Sequence, residues 1–551
     1  MGKTKDSRRN NFLLQGGILA IAGIVVRFIG MAYRIPITRI LGEYGISLYE
    51  TAYSAYSIIL IVSSYSLPVA VSKMIAAKNA CKEYVNAERV FRCSILYALV
   101  IGVLASAICY FCAPWLVQAE GAIPVLRILA PVILFSAVLG TFRGLFQGQG
   151  TMVPTSVSQI IEQIINAVVS IVAAVLLIAP FRVEDPEGLR PIRGAMGSTM
   201  GTGAGVVAGL AFVVLVYLMF RPKLKKRVRK GQEAPIDSYG QILKMILWTV
   251  TPMVLSATLY NVSPYIDNNL IYGVMGNLGV SEEAIGAMHG IYAGKYLQLV
   301  NIPVAFASAL SSAMLPEVAA AKARGDASGI LSKAQMTIKV TMLLALPCTL
   351  GLTVLGGPAA QLIYGNSTVH PDMARNLFLY GSCFVLFFSM STVTNALLQA
   401  TDNLRYPVIH SVIALVLHTV AAYVMLRMGM GVWALMWSTI LFAVVLCVLN
   451  HLVLRRKVGF RMDWVGSIWK PLLISGIMGI VCWCSYYIIH YLTKSNTIGF
   501  LVAFVLGIIT YAVALPLFNG VTEEELMRIP KGHVIVRVLK KVGLLGSRGE
   551  E

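Results

Sequence analysis

The chain has 551 residues, 57% of them hydrophobic and only 13% charged, with a mean hydropathy of +0.75. A soluble domain carries about 25% charged residues, so the composition excludes one and indicates a membrane protein. The net charge of +20 does not mark a nucleic-acid binder, because the bases collect in short segments between apolar runs.

The amino terminus, MGKTKDSRRNNF, is basic and leads into apolar sequence without a small-residue cleavage site, which predicts an uncleaved first span. A hydrocarbon core needs about 20 apolar residues per helix. By that measure spans are expected near 12–37, 46–72, 91–115, 122–144, 153–179, 195–220, 241–272, 286–315, 333–356, 374–399, 406–427, 431–454, 469–492 and 496–518. That makes fourteen; one misread pair would leave twelve. With the amino terminus inside, the inner segments hold 34 of the 45 Lys and Arg residues, so both termini are predicted cytoplasmic. Arg143 is counted among those inner-loop bases. The densest block, RPKLKKRVRK at 221–230, reads as an orientation signal touching anionic lipid. The tail after 520 is too short to span again and is expected to lie on the cytoplasmic surface as an amphipathic segment. Cys109 and Cys112 form a CxxC inside a span, in ICYFC, and read as buried thiols rather than a metal or redox site.

Two echoes divide the chain. SLPVAVSKMIAAK at 66–78 returns as MLPEVAAAKARG at 314–325, and LFQGQGTMVP at 145–154 returns as LLQATDNLRYP at 397–407. Offsets near 250 suggest that spans 1–6 and 7–12 are parallel repeats, with a transport site between them. The expected fold is all-α and polytopic: a lobe at 1–220, a basic linker at 221–240, a second lobe at 241–454, two extra spans within 455–520, and the tail at 521–551. Span 6 carries Gly197, Gly201, Gly205 and Gly209, every fourth residue on one face, which favours close helix contact.

Charges inside spans are costly, about 2.5–3.5 kcal/mol each near the centre, so they face water or one another. Arg27 and Arg34 share span 1; seven residues turn a helix through ~700°, so both lie on one stripe. Glu50 opens span 2, Glu162 lies in span 5, Asp267 in span 7 and Lys295 in span 8. Internal pairing is one reading, Asp267 with Lys295 or Glu162 with an arginine. The other is a cationic cavity of Arg27, Arg34 and Lys295, in which arginine forks grip phosphate or carboxylate oxygens.

The segments VRFIGMAYRIPITRILG, FRGLFQGQGTMVPTSVSQIIEQI and YAGKYLQLVNIPVAFASALSSAMLP resemble the multidrug/oligosaccharidyl-lipid/polysaccharide exporter superfamily. Within it the chain is most similar to the lipid II flippases, in the branch of Gram-positive bacteria that includes the stage V sporulation protein B. The resemblance covers essentially the whole chain. It implies fourteen helices in two six-helix lobes, with spans 13 and 14 forming a groove for a lipid tail. The implied cargo is undecaprenyl-pyrophosphate-linked disaccharide-pentapeptide, moved from the inner to the outer leaflet. The family's cavity bases fall on Arg27 and Lys295. A second span 1 arginine of the family aligns with Tyr33, beside Arg34, and a span 2 arginine of some members has no counterpart among Tyr53, Ser54, Tyr56 and Ser57. Some members bind sodium through acids of the second lobe; Asp267 is a candidate ligand, but span 11, VIHSVIALVLHTV, has no acid.

The expected mechanism is alternating access without covalent chemistry or cofactor, driven by the membrane potential or a monovalent cation. Glu50, Glu162 and Asp267 are candidates for coupling or gating. The expected oligomeric state is a monomer. Rival readings are a flippase for another undecaprenyl-linked glycan, a cation-coupled drug antiporter with an acidic cavity, and a membrane glycosyltransferase, which the short outer loop near 180–194 disfavours.

Overall fold

The structure, a computed structural model, describes residues 2–180, 189–229, 235–367 and 369–521. The tail at 522–551, part of the basic linker and most of the 180–194 loop lie outside the described residues. Among the described residues the chain forms eighteen α-helices and four single π-helical turns, and no strand. Among the described residues, thirteen helical stretches are long and apolar enough to cross a membrane.

The first such stretch, Ile21–Ala80, has 60 residues and would be ~90 Å long if straight, three times a hydrocarbon core. It is not straight. Within α1 (Gly2–Leu60), Gly42 has φ 68° and ψ −177°, a backbone only glycine adopts without strain. Arg34 and Glu50 lie on opposite sides of that break and touch at 2.6 Å. Sixteen residues of unbroken helix would hold them ~24 Å apart, so α1 folds back on itself at Gly42. A π turn at Ile61–Tyr65 then leads into α2 (Leu67–Ala80).

The chain continues through α3 (Tyr84–Phe111), short α4 (Ala113–Leu116), α5 (Ala122–Gly148), α6 (Val153–Ile178) and α7 (Leu189–Arg229). The glycine stripe of span 6 lies along α6. Gly197 meets the Ala173 backbone, Gly201 meets Asn166 and Ser170, Gly205 meets Glu162 and Asn166, and Gly209 meets Ser158. A Cβ on Gly201 or Gly205 would overlap α6 backbone atoms, so these glycines set how near the two helices run. Span 7 is two helices rather than one, α8 (Tyr239–Asn261) and α9 (Ser263–Asn277), because Pro264 lacks the N–H that would continue the first. Ser238 and Gln241 form a reciprocal capping box that starts α8. α10 (Glu282–Ile291) follows.

A π turn at Tyr292–Tyr296 carries the chain into α11 (Leu297–Ala323), then α12 (Ala327–Tyr364), α13 (Met373–Gly381), α14 (Cys383–Ala400), α15 (Arg405–Arg427) and α16 (Val432–Val453). Span 10 is thus also divided, between α13 and α14. Two further π turns, Leu454–Val458 and Val465–Trp469, precede α17 (Lys470–Thr493) and α18 (Asn496–Leu517).

The chain forms two compact units, Met1–Gly290 and Ile291–Glu551. In the first, α5 is the centre, with Leu126, Leu129 and Ile133 fully buried under α3, α7 and α2. In the second, Val318, Met342, Leu346 and Leu397 form the core of α11, α12 and α14. There α17 and α18 pair through Met478, Cys482 and Ala503 against Leu355 of α12. Outward faces are apolar, for example Leu501, Phe504, Val505 and Ile508 of α18, as hydrocarbon solvent requires. The echoed segments make matching contacts within their own units. Asn79, ending α2, donates to Gly148 O at the α5–α6 turn (3.3 Å). Lys322, ending α11, donates to Thr401 O and Asp402 at the α14–α15 turn (2.5 and 2.8 Å).

Candidate functional site

The first unit gathers five of the six charged residues singled out from the sequence. On the α1 arm before Gly42, Arg27 is exposed. About two turns further along the same stripe, Arg34 donates from Nη1 to Glu50 Oε1 at 2.6 Å and lies 6.0 Å from the Tyr49 ring centre. Their side chains are 23% and 18% exposed, so the pair is largely withdrawn from water. Tyr49 and Tyr53 stack at 5.8 Å, and Tyr56 leans on Tyr53 at 5.7 Å, so an aromatic row lies beside the ion pair.

Glu162 is held by Arg143, Nη2 to Oε2 at 2.6 Å, while Arg143 Nε donates to Ser158 Oγ at 2.9 Å. This corrects the reading of Arg143 as an inner-loop charge. The guanidinium lies inside α5 at 14% exposure, where a carboxylate and a hydroxyl take over from water. Glu162 belongs to a polar seam on α6, Ser158, Glu162, Asn166 and Ser170, one residue per turn. Asn166 donates to Tyr33 Oη at 3.4 Å, and Ser170 donates to Asn166 Oδ1 at 3.0 Å and to Ser198 O at 2.8 Å. The seam was missed in the sequence, although the i, i+4 spacing of polar residues in an apolar helix was the signal for it.

Asp267 is buried on α9. Its neighbour Asn268 donates to Ser54 Oγ at 2.8 Å and to Glu50 O at 3.3 Å, so α9 is tied to the α1 arm that carries Glu50. Two more clasps hold the same α1 arm, one to α9 and α10 and the other, with the turn before α5, to α10. Ser47 Oγ lies 2.6 Å from Tyr272 Oη and 2.7 Å from His289 Nδ1, all buried. The Glu282 carboxylate accepts from the backbone N–H groups of Glu120 and Gly121, both at 2.9 Å, and from Tyr44 Oη at 2.8 Å. At the other end of the spans, Lys78 bridges Glu83 (2.8 Å) and Asp237 (2.6 Å), fixing the chain before α8 to the α2–α3 turn. Hydrogen bonds from Lys78 and Asn86 hold the Glu83 carboxyl below its ordinary value.

The second unit holds Lys295, 4% exposed, within the π turn Tyr292–Tyr296. π insertions are frequent at functional sites. This one is braced: Tyr292 and Tyr296 stack at 5.6 Å, Tyr296 Oη donates to Gly381 O at 2.8 Å, and its ring meets Phe378. Lys295 Nζ donates to Gly365 O at 3.3 Å and lines a cavity of about 250 Å³ shared with Gln361, Asp372, Arg375, Tyr486 and His490. Arg375, which donates to Tyr487 Oη at 2.8 Å, is a second base at this cavity. Sequence reading passed over it because it stands at the edge of span 10. No group of three or more His, Cys, Asp or Glu residues suited to a metal occurs among the described residues.

The sequence model of the family "Lipid II flippase MurJ" matches residues 67–510. The lipid II flippase MurJ of Bacillus subtilis (strain 168) is 25% identical over 509 residues, covering 87% of this chain and 90% of that protein. Stage V sporulation protein B of the same organism is 22% identical over 542 residues, covering 96% and 100%. Among solved structures, lipid II flippase MurJ in an inward closed conformation matches with a TM-score of 0.60 at 16% identity, covering 91% of this chain and 98% of that one. An inward-facing multidrug resistance MATE family transporter of the MOP superfamily matches with a TM-score of 0.64 at 16% identity, covering 79% and 94%. These two likenesses concern the fold.

Proposed function

The chain belongs to the lipid II flippase MurJ family, and from that premise we propose that it moves lipid II from the inner to the outer leaflet by alternating access. The observation that carries this reading is a base buried in the membrane-spanning part of the fold: Lys295, nearly inaccessible, at the wall of a cavity that also holds Arg375. Ammonium and guanidinium groups at one wall offer donors that suit pyrophosphate oxygens. In this reading Lys295, Arg34 and Arg27 receive the phosphates and peptide carboxylates while the prenyl chain stays in lipid. Glu50 occupies Arg34 when cargo is absent and competes for it at release. The clasps at Ser47 and Glu282 hold the resting state and part during transport. The membrane potential is the proposed drive, worth ~2.3 kcal/mol per charge per 100 mV for an anion moving outward.

The chain is a multi-pass membrane protein of a transporter family. We further assign it fourteen spans, cytoplasmic termini, a monomeric state and no covalent catalysis. The antiporter reading is weaker here because it needs acids available to a cation. Glu50 and Glu162 each already neutralise an arginine. The test is complementation: deplete the resident lipid II flippase of a Gram-positive host, express this chain, and measure lipid II exposed at the cell surface. Rescue by the wild type and its loss in Lys295→Ala, at equal membrane abundance, is the expected result. Failure of the wild type to rescue, with surface exposure unchanged, would sink the lipid II assignment.

A further inference from the structure

A second cavity, of about 320 Å³, lies wholly within the first unit, where α3, the end of α5 and the end of α7 meet. Its rim carries Arg92, Arg221, Lys225 and Arg227, against the single acid Glu88, which is already paired with Arg92 at 2.5 Å. Arg227 donates to Gln149 at 3.3 Å. Among the described residues no carboxylate pairs with Arg221, Lys225 or Arg227. Arg221 and Lys225 stand one turn apart, an i, i+4 arrangement in which like charges repel. The floor is different in character. Phe91, Phe142 and Tyr217 form a three-ring cluster with centroids 5.3–5.4 Å apart, and Phe91 and Tyr217 line the cavity.

Position along α7 indicates what fits. The helix has 41 residues, ~62 Å, and so outruns a hydrocarbon core of about 30 Å. Its apolar run ends at Phe220 and its basic run starts at Arg221. Leu215, Leu218 and Met219, just before the change, are exposed at 61%, 51% and 79%, as lipid-facing residues are. The cavity therefore opens at the height where acyl chains give way to phosphates, with an aromatic floor on the acyl side and a basic rim on the other.

We propose that this cavity binds the phosphate-bearing headgroup of an anionic membrane phospholipid, separately from any transported cargo. The phosphate sits among Arg221, Lys225 and Arg227, and the glycerol and upper acyl carbons cover Phe91 and Tyr217. Nothing in this requires the flippase reading, and the test does not measure transport.

The full-length protein in neutral detergent is titrated with phosphatidylglycerol, phosphatidylcholine or inorganic phosphate, and bound lipid is read by native mass spectrometry beside the melting temperature. The wild type should retain phosphatidylglycerol and be stabilised by it, with little response to the other two. A base near the surface contributes about fivefold in affinity, so Arg221→Gln/Lys225→Gln should weaken phosphatidylglycerol binding on the order of 25-fold. Lys223→Gln/Lys226→Gln removes the same charge from the same helix outside the cavity and should change it little. Equal weakening by both pairs would reduce the effect to diffuse charge and overturn the site. Inorganic phosphate competing as well as the lipid would mean a soluble anion instead. Should Arg221→Gln/Lys225→Gln fail to fold, the wild-type comparison decides: equal retention of phosphatidylglycerol and phosphatidylcholine ends the proposal.

Discussion

Removing one partner of the Arg34–Glu50 pair separates a structural ion pair from a cargo-binding one. The contact is 2.6 Å, with side chains 23% and 18% exposed. Two unit charges about 4 Å apart attract by about 4 kcal/mol at an effective dielectric near 20, and breaking a withdrawn pair costs about 3–5 kcal/mol because the survivor is stranded. Arg34→Gln and Glu50→Gln should each destabilise the purified protein by about 3 kcal/mol, and the double variant by clearly less than the sum, a coupling of about 2 kcal/mol or more. The coupling also reports on the fold-back at Gly42, since only a reversed chain brings these residues together.

Function should divide the variants differently. Glu50→Gln leaves Arg34 charged and without its internal competitor. If cargo phosphate takes that place, lipid II should bind more tightly, by roughly tenfold for each 1.4 kcal/mol of competition removed, while surface exposure of lipid II in depleted cells slows. Arg34→Gln should lose both binding and rescue, and the double variant should regain stability without regaining rescue. The measurements are melting in detergent, lipid II titration and surface lipid II in cells. Full rescue by the double variant would show that the pair only holds α1 together, and the role of Arg34 in cargo binding would fall.

Three other outcomes are expected. Glu282→Ala deprives two backbone N–H groups and Tyr44 of a charged acceptor, each bond worth about 1.5–3 kcal/mol, so the resting state should open and a thiol introduced at position 47 should label faster; unchanged labelling would remove Glu282 from the gate. Gly201→Val places side-chain carbons on the α6 backbone at Asn166 and Ser170 and should cost at least the 1–3 kcal/mol typical of overpacking, whereas Gly203→Ala, which meets only a Val132 methyl, should be mild; comparable melting of the two would refute the close-approach argument. Glu83 and Asp326 have folded-state values below their ordinary 4.5 and 3.8, through Lys78 and Asn86 for the first and through Gly329 N–H and Ser328 for the second. Such carboxylates stabilise the fold above their ordinary values, and the contribution disappears as pH falls through the lower folded values. Melting between pH 7 and pH 3 should therefore fall less steeply in Glu83→Gln/Asp326→Asn than in the wild type.

What was legible in the sequence follows from what one dimension records. Apolar length and the bias of Lys and Arg mark spans without reference to neighbours, and a glycine every fourth residue marks a contact face whatever lies against it. Breaks within spans were readable in principle, since Pro264 cannot continue a helix, but hydropathy averages across a single proline. Pairing could not be read. Arg143 stands five residues before Gly148, at the end of its span, where a base normally reads as an orientation signal. Only the packing of α5 on α6 brings Glu162 to it.

That pairing changes the electrostatic argument for anion binding. Read along the chain, Arg27, Arg34 and Lys295 stand as three bases against uncommitted acids. In the fold, Glu50 answers Arg34, and Glu162 answers Arg143, a base that along the chain reads as an inner-loop charge. The first unit is thus closer to internal balance than its arginines suggest, and an anion reaching Arg34 must displace a carboxylate already in place. At the Lys295 cavity the lining carries Lys295 and Arg375 with one acid, Asp372, and two bases at one wall suit a diphosphate better than either does alone. Replacing both with neutral residues should therefore weaken lipid II binding by less than the product of the single effects if the two bases grip one diphosphate together, since either single loss already breaks the shared grip, and by the product if each base acts separately.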